Sequence, residues 1–323
     1  MPGVFDVTIK ENKVYKKVNK NHSIGKNLIN QLKNPTNRIR YIKALNSDKL
    51  DIIGEFIAPP LEIYDNGDYN MKEINGVNLM DILPRNNPLC KMANWKSKQL
   101  TLDKTLCKSI LEQLIVLETS LYRYNKITTL SGDWFLHNLI YDFSMNKIYN
   151  IDLEGFYTYK GKSDMSDLTY FIPEQFGNCK KYLLQQMNTS IFSVILWNPV
   201  EKYYQEIQDL IEKNFPIILN TEHTVKNMKT FVDRVYELDV RCHKPYLPKK
   251  IDILNTYKAK VKFFLILIDQ PKYDRQNVSH TAIKLKEEIR SIYKPKLENY
   301  YKDIIVHISD NQVEAGNIYK LML

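Results

Sequence analysis

The chain has 323 residues, a formal net charge of +9, 44% hydrophobic and 26% charged residues and only 10 Gly, a composition that buries more than one core and excludes general disorder. Its longest apolar run, residues 263–268, is far short of the roughly 20 residues a bilayer-spanning helix needs. No basic stretch followed by an apolar stretch opens the chain, so the expectation is no membrane insertion and a cytoplasmic setting. Cys90, Cys107, Cys179 and Cys242 stand apart, without a C-x-x-C pair or a Cys/His cluster, which predicts free, mostly buried thiols. The charge is uneven, with eleven Lys or Arg against three acids in residues 1–50. A basic end suits polyphosphate, nucleic acid or an anionic surface, or is simply a solvated face. No aromatic-spaced RNA-binding signature accompanies it, so nucleic acid is not the favoured partner.

Three pieces follow in chain order. Residues 4–9 and 14–18 alternate apolar and polar around the turn Lys10-Glu11-Asn12-Lys13, the pattern of a β-hairpin. Ser23 can cap a helix to about Lys33, Pro35 interrupts it, and a further helical stretch ends near Asn46. Strands are expected within residues 52–64, split by Pro59-Pro60, and at 69–74 after Asp65-Asn66-Gly67-Asp68. Residues 1–74 thus read as a small, mostly antiparallel sheet with a helix. In residues 75–245, Leu106, Ile110, Leu114, Leu117 and Leu121 form a helical stripe. Two short strands, 139–141 and 148–151, come next, and helices are expected to about Leu238. Pro245 and Pro248 mark a boundary. Residues 246–323 read as a small α/β unit, with strands at 263–268 and 304–308 and helices at 278–293 and 312–321.

The chemistry-bearing stretch is residues 131–156, SGDWFLHNLIYDFSMNKIYNIDLEGF. Asp133 lies five residues before Asn138, and a hairpin then delivers Asp152 at a strand end. Phosphoryl transfer needs a carboxylate to orient or deprotonate the acceptor hydroxyl, and oxygen ligands for Mg²⁺ on the nucleotide phosphates. The stretch resembles the protein-kinase-like superfamily, in particular its aminoglycoside and choline kinase branch, which reads H-G-D-x-x-x-x-N, a hairpin, then I-D-x-E. Here the matches are Gly132-Asp133, Asn138 and Ile151-Asp152-Leu153-Glu154.

The resemblance implies an α+β, bilobal kinase-like fold over about residues 1–240, carrying the small α/β appendage. It makes Asp133 the catalytic base and Asn138 and Asp152 the magnesium ligands. Lys16 becomes the nucleotide-phosphate lysine, with Lys17 on the other strand face. Residues 69–79, including Met71, Glu73 and Ile74, become the strand and hinge against which adenine stacks. Asp167-Leu168 matches a pair that follows the metal-binding Asp. The activity implied is Mg²⁺- and ATP-dependent transfer of the γ-phosphoryl group to a small-molecule hydroxyl. I-D-x-E in place of D-F-G, and no A-P-E after Asp152, weigh against a protein kinase. The chain departs from the pattern in three places. Ser131 replaces the loop His, no Gly-rich loop precedes the first hairpin, and no carboxylate occurs between Glu11 and Asp48. Asp48 or Glu55 would have to supply the missing partner of Lys16. A pseudokinase scaffold and a nucleotidyl transferase on the same fold remain as alternatives.

Near the end, residues 303–310 (DIIVHISD) are similar to the nucleoside diphosphate kinase signature N-x-x-H-G-S-D, whose His is phosphorylated. Ile304 and Ile308 replace its Asn and Gly, and 78 residues are too few for that fold. Ser309 and Gln312 also form a capping box for the last helix.

Overall fold

The computed structural model describes residues 5–21, 23–39, 54–56, 58, 60–127, 134–152, 172–239, 241–242, 244–298, 300–301 and 304–323. The fold is α+β, in two compact units, Met1–Leu183 and Leu184–Leu323.

In the first unit β1 (Phe5–Lys10) and β2 (Lys13–Val18) pair antiparallel. Glu11 and Asn12 turn the chain with φ of 51° and 61°, the paired left-handed conformation of a tight two-residue hairpin. Helix α1 (Ser23–Leu32) follows, then β3 (Pro60–Ile63) and β4 (Tyr69–Lys72). The sheet order is β1-β2-β4-β3. The expected helical stretch ending near Asn46 lies largely outside the described residues. A second sheet, β5-β6-β7, joins β5 (Gly76–Asn78) to the hairpin β6 (Leu139–Asp142) and β7 (Lys147–Asn150). Helix α2 (Pro88–Met92) is short. The long α3 (Lys104–Ile127) buries the predicted stripe at Ile110, Leu114, Leu117 and Leu121, with Leu106 half-buried. Helix α4 spans Ile172–Met187.

The second unit departs from expectation. The residues read as helical up to Leu238 contain two strands, β8 (Thr189–Trp197) and β9 (Ile217–Thr224), besides α5 (Tyr204–Glu212) and α6 (Met228–Val235). Helix α7 (Leu247–Leu254), β10 (Lys260–Asp269), α8 (His280–Tyr293), β11 (Val306–Ile308) and α9 (Gln312–Met322) complete it. The division of the chain therefore falls at Leu183/Leu184, and Pro245 sits between two helices of one unit. Strand β8 is central and buried along most of its length, so apolar residues occupy both of its faces and, with only Ser193 interrupting them after Ile191, no alternation distinguishes it from a buried helix.

The four strands are ordered β11-β8-β10-β9, every neighbour antiparallel. The halves β8-α5-β9 and β10-α8-β11 each straddle a strand of the other, the split βαβ arrangement of ferredoxin-like sheets. Phe192, Val194, Leu196, Phe264, Ile266 and Ile268 pack against Ile207 and Ile211 of α5 and Leu285 and Ile289 of α8. The segment between β9 and β10 is not a hairpin but the crossover that carries α6 and α7. None of the four cysteines is in a disulfide, and Cys90, Cys107 and Cys179 are buried as expected. Among the described residues no helix is long and apolar enough to cross a membrane.

Gly76 pairs with Asp142, and a Cβ at this position would lie 1.8 Å from the Tyr141 carbonyl oxygen. Gly76→Ala therefore has to separate β5 from β6. It is expected to cost roughly 1–3 kcal/mol, read as a lowered urea midpoint for the first unit, and an unchanged midpoint would refute this account of the β5–β6 contact.

Candidate functional sites

The first site is built by the β6–β7 hairpin. Its ladder pairs Leu139 with Asn150 and continues one step outward, where Ile151 N–H donates to the Asn138 carbonyl at 2.9 Å. The residues flanking the hairpin thus leave it side by side, and Asn138 Nδ2 lies 3.4 Å from Asp152 Oδ2. The buried Asn150 fixes the exit: its Oδ1 accepts the Asp152 N–H at 2.8 Å, and its carbonyl accepts the Ala58 N–H at 3.0 Å. On the entry side, Gln175 Oε1 accepts the Leu136 N–H at 3.0 Å, and Asn78 Nδ2 donates to the His137 carbonyl at 2.7 Å.

Lys16 arrives from β2. Its Nζ donates to the Ile151 carbonyl at 2.9 Å and lies 3.4 Å from Asp152 Oδ1. The strand parity holds, since Lys16 is buried and Lys17 is exposed. Lys16 pairs across the sheet with Tyr69, and its ammonium sits 5.6 Å from that ring centroid. Three residues from distant parts of the sequence, Lys16, Asn138 and Asp152, therefore meet at one mostly buried carboxylate.

The other expected site residues are placed differently. Met71 is buried in β4 opposite Val14, two cross-strand pairs along from Lys16 and on the same face. Glu73 and Ile74 follow β4. The Glu73 N–H donates to the Asn12 carbonyl at 2.9 Å, so that hinge donor is engaged within the sheet. Glu55, the proposed substitute for the missing helix carboxylate, instead pairs with Lys147 at 2.9 Å. His137 packs against Phe135, with ring centroids 4.7 Å apart. Asp133, Asp48, Glu154 and Asp167 lie outside the described residues.

A second polar cluster lies in the second unit, around a cavity of about 330 Å³. His307, on the edge strand β11, is almost fully buried, and its Nε2 is 3.1 Å from Glu314 Oε1. The Asp310 N–H holds the other Glu314 oxygen at 2.5 Å. The crossover brings Tyr236, whose ring meets the imidazole edge-on at 4.6 Å, and the buried Lys250. Lys250 donates to the Tyr236 hydroxyl at 2.6 Å and faces the rings of Trp197 and Tyr236 at 4.4 and 4.6 Å. Burial, with the Lys286 ammonium nearby, holds the imidazole well below its ordinary range, while burial raises the Glu314 and Asp310 carboxyls.

The sequence motif located His307 and Asp310 but neither Glu314 nor Lys250, which have no spacing signature and meet His307 only through the tertiary fold. Nor does Ser309 cap α9. Asn311 does, accepting from Val313 and Glu314, while the Ser309 hydroxyl accepts the Ser193 N–H on β8.

No family model matches the chain, and no curated protein matches it. Among solved structures, a nucleoside diphosphate kinase of Aquifex aeolicus aligns with 42% of this chain and 95% of its own, at 16% identity and a TM-score of 0.29.

A depressed imidazole means that below its ordinary value of 6.5 the unfolded chain takes up a proton which the folded chain refuses. The imidazole's contribution to stability then falls as pH drops below 6.5, because at this group the unfolded state binds more protons there. His307→Gln is expected to flatten this part of the profile of melting temperature against pH. An equal slope in wild type and variant would show that the imidazole is not held neutral.

Proposed function

We propose that the first unit is a kinase-like, Mg²⁺- and ATP-dependent phosphotransferase that moves the γ-phosphoryl group to a hydroxyl of a small molecule. The observation that carries the proposal is the meeting of Lys16, Asn138 and Asp152, which separate stretches of sequence had suggested for one nucleotide site. A carboxylate with an adjacent side-chain amide suits a hard, oxygen-seeking cation, and a lysine within reach of the same carboxylate suits phosphate oxygens. The residues thus fit the group. Asp152 and Asn138 would hold the metal, Lys16 would bind nucleotide phosphate, and Asp133 would orient the acceptor and take its proton. ATP, when bound, would supply the transferable phosphoryl group, and Mg²⁺ would offset the phosphate charge. Tyr69 and Met71 back Lys16 on the same strand face and limit where its ammonium can go.

A pseudokinase is the second reading, favoured by the absence of any carboxylate between Glu11 and Asp48 and by the engagement of Glu55 with Lys147. Lys16 then rests against Asp152 as a structural pair.

The two are separated by thermal unfolding with ATP and Mg²⁺, followed by transfer of labelled γ-phosphate to a panel of small-molecule alcohols. At 100 times its dissociation constant the nucleotide should stabilise wild type by about 2.7 kcal/mol. Asp152→Ala should lose this shift. Asp133→Ala should keep it while losing turnover by about 100-fold or more. A shift without turnover in wild type selects the pseudokinase, absence of any shift refutes the nucleotide site, and product mass distinguishes phosphoryl from nucleotidyl transfer.

A further inference from the structure

The cavity beside His307 is lined by charges of both signs, Arg241, Lys250, Lys286 and Arg290 together with Asp239 and Asp310. Its cations are engaged by the protein. Lys286 pairs with Asp310 Oδ1 at 3.4 Å, and Arg241 pairs with Asp274. Arg290 donates to the Val306 carbonyl at 3.2 Å, and Lys250 is held by the Tyr236 hydroxyl and two aromatic faces. The anionic side is less complete. Asp310 Oδ2 is buried on the cavity wall and has no hydrogen-bond partner, a costly arrangement for a carboxylate oxygen. Ligand atoms of Asp239, His307 and Glu314 all lie within 4.8 Å of one another.

From this geometry we infer that Asp239, His307 and Glu314 form a binding site for a borderline divalent metal ion of the Zn²⁺ class. An imidazole nitrogen with two carboxylates suits such an ion better than Mg²⁺ or Ca²⁺, which prefer all-oxygen shells. Two of the ligands are held in advance. Edge-on contact with Tyr236 sets the imidazole plane, and the Asp310 N–H holds one oxygen of Glu314, leaving the other toward His307. Bonds of about 2.0–2.2 Å bring tetrahedral ligands to roughly 3.4 Å from one another, so closure from 4.8 Å needs a shift of up to about 1.4 Å. Asp239, half-buried in the segment after α6, is the ligand with room to make it. Binding would replace the proton between His307 and Glu314 and place a positive charge near the orphaned oxygen of Asp310. The open side of the ion faces the cavity.

The test uses the full chain, stripped with a chelator and titrated with Zn²⁺ by calorimetry and with Co²⁺ by visible absorption. Wild type should bind one equivalent of Zn²⁺ and show the visible bands of low-symmetry Co²⁺. His307→Gln and Asp239→Asn should weaken binding by about tenfold or more and lose those bands. Cys242→Ser, at a thiol that lines the cavity, should bind as wild type does. Asp239 is only half-buried, so its variant keeps the test valid if His307→Gln fails to fold, with circular dichroism as the check. No binding by wild type, or equal binding by Asp239→Asn, overturns the site. Loss in Cys242→Ser overturns it too, because the ion would then be held by the thiol.

Discussion

The first unit depends on one hydrogen bond beyond the end of a hairpin, from Ile151 N–H to the Asn138 carbonyl. Two residues fourteen apart in sequence would otherwise diverge as their strands end. The extra rung keeps both chains in register for one more step, which brings an amide and a carboxylate to 3.4 Å. The surrounding contacts protect that rung. Asn150 ties the exit strand to the Asp152 N–H and to Ala58, Asn78 and Gln175 tie the entry turn, and Gly76 lets β5 approach β6. Lys16 then finds two acceptors already aligned, so the entropy of ordering its long side chain is offset by two charge-assisted contacts in a partly buried setting.

The second unit solves a different problem. A split βαβ sheet needs a connection between its second and third strands, and here that connection is a helical crossover in place of a tight turn. Edge strand β11 gains polar neighbours as a result. Tyr236 and Lys250 come from the crossover, Lys286 and Arg290 from α8, and Glu314 from α9. Every buried charge in this cluster needs a compensating group, because water is largely excluded. The lysines and arginines obtain theirs from carbonyl, hydroxyl, carboxylate and ring faces. One oxygen of Asp310 does not.

Much of the first site was legible because its chemistry sits on local patterns. Alternation on β2 separated Lys16 from Lys17, and the spacing of Asp133, Asn138 and Asp152 around a hairpin marked a loop-strand-strand unit. Glu73 was legible as a residue after a strand, but not as one whose N–H the β1–β2 turn would use. The second unit was misread where periodicity carries no information. Buried strand β8 is apolar on both faces, and losing it hid the sheet, placed a boundary at Pro245 and left a thin pair of strands in place of four. The cap of α9 shows the same limit at smaller scale. Ser309 and Asn311 are both good capping residues, and the Ser193 N–H of β8, which needs the Ser309 hydroxyl as its acceptor, decides between them.

The two clusters differ in how they treat charge, and this bears on what each can hold. Asp152 keeps about a fifth of its side chain exposed beside Lys16, so a ligand can enter and leave without stranding a charge in a dry interior. His307 and Glu314 are closed off to within a few percent. An ion there would be bound against a large desolvation cost and held by groups that have no solvent to return to. Exchange at speed suits the first arrangement, and retention suits the second. A fold that needs both a ligand that turns over and one that stays therefore gains from building them on different sheets, one at the exposed end of a hairpin and the other beneath an edge strand covered by helices.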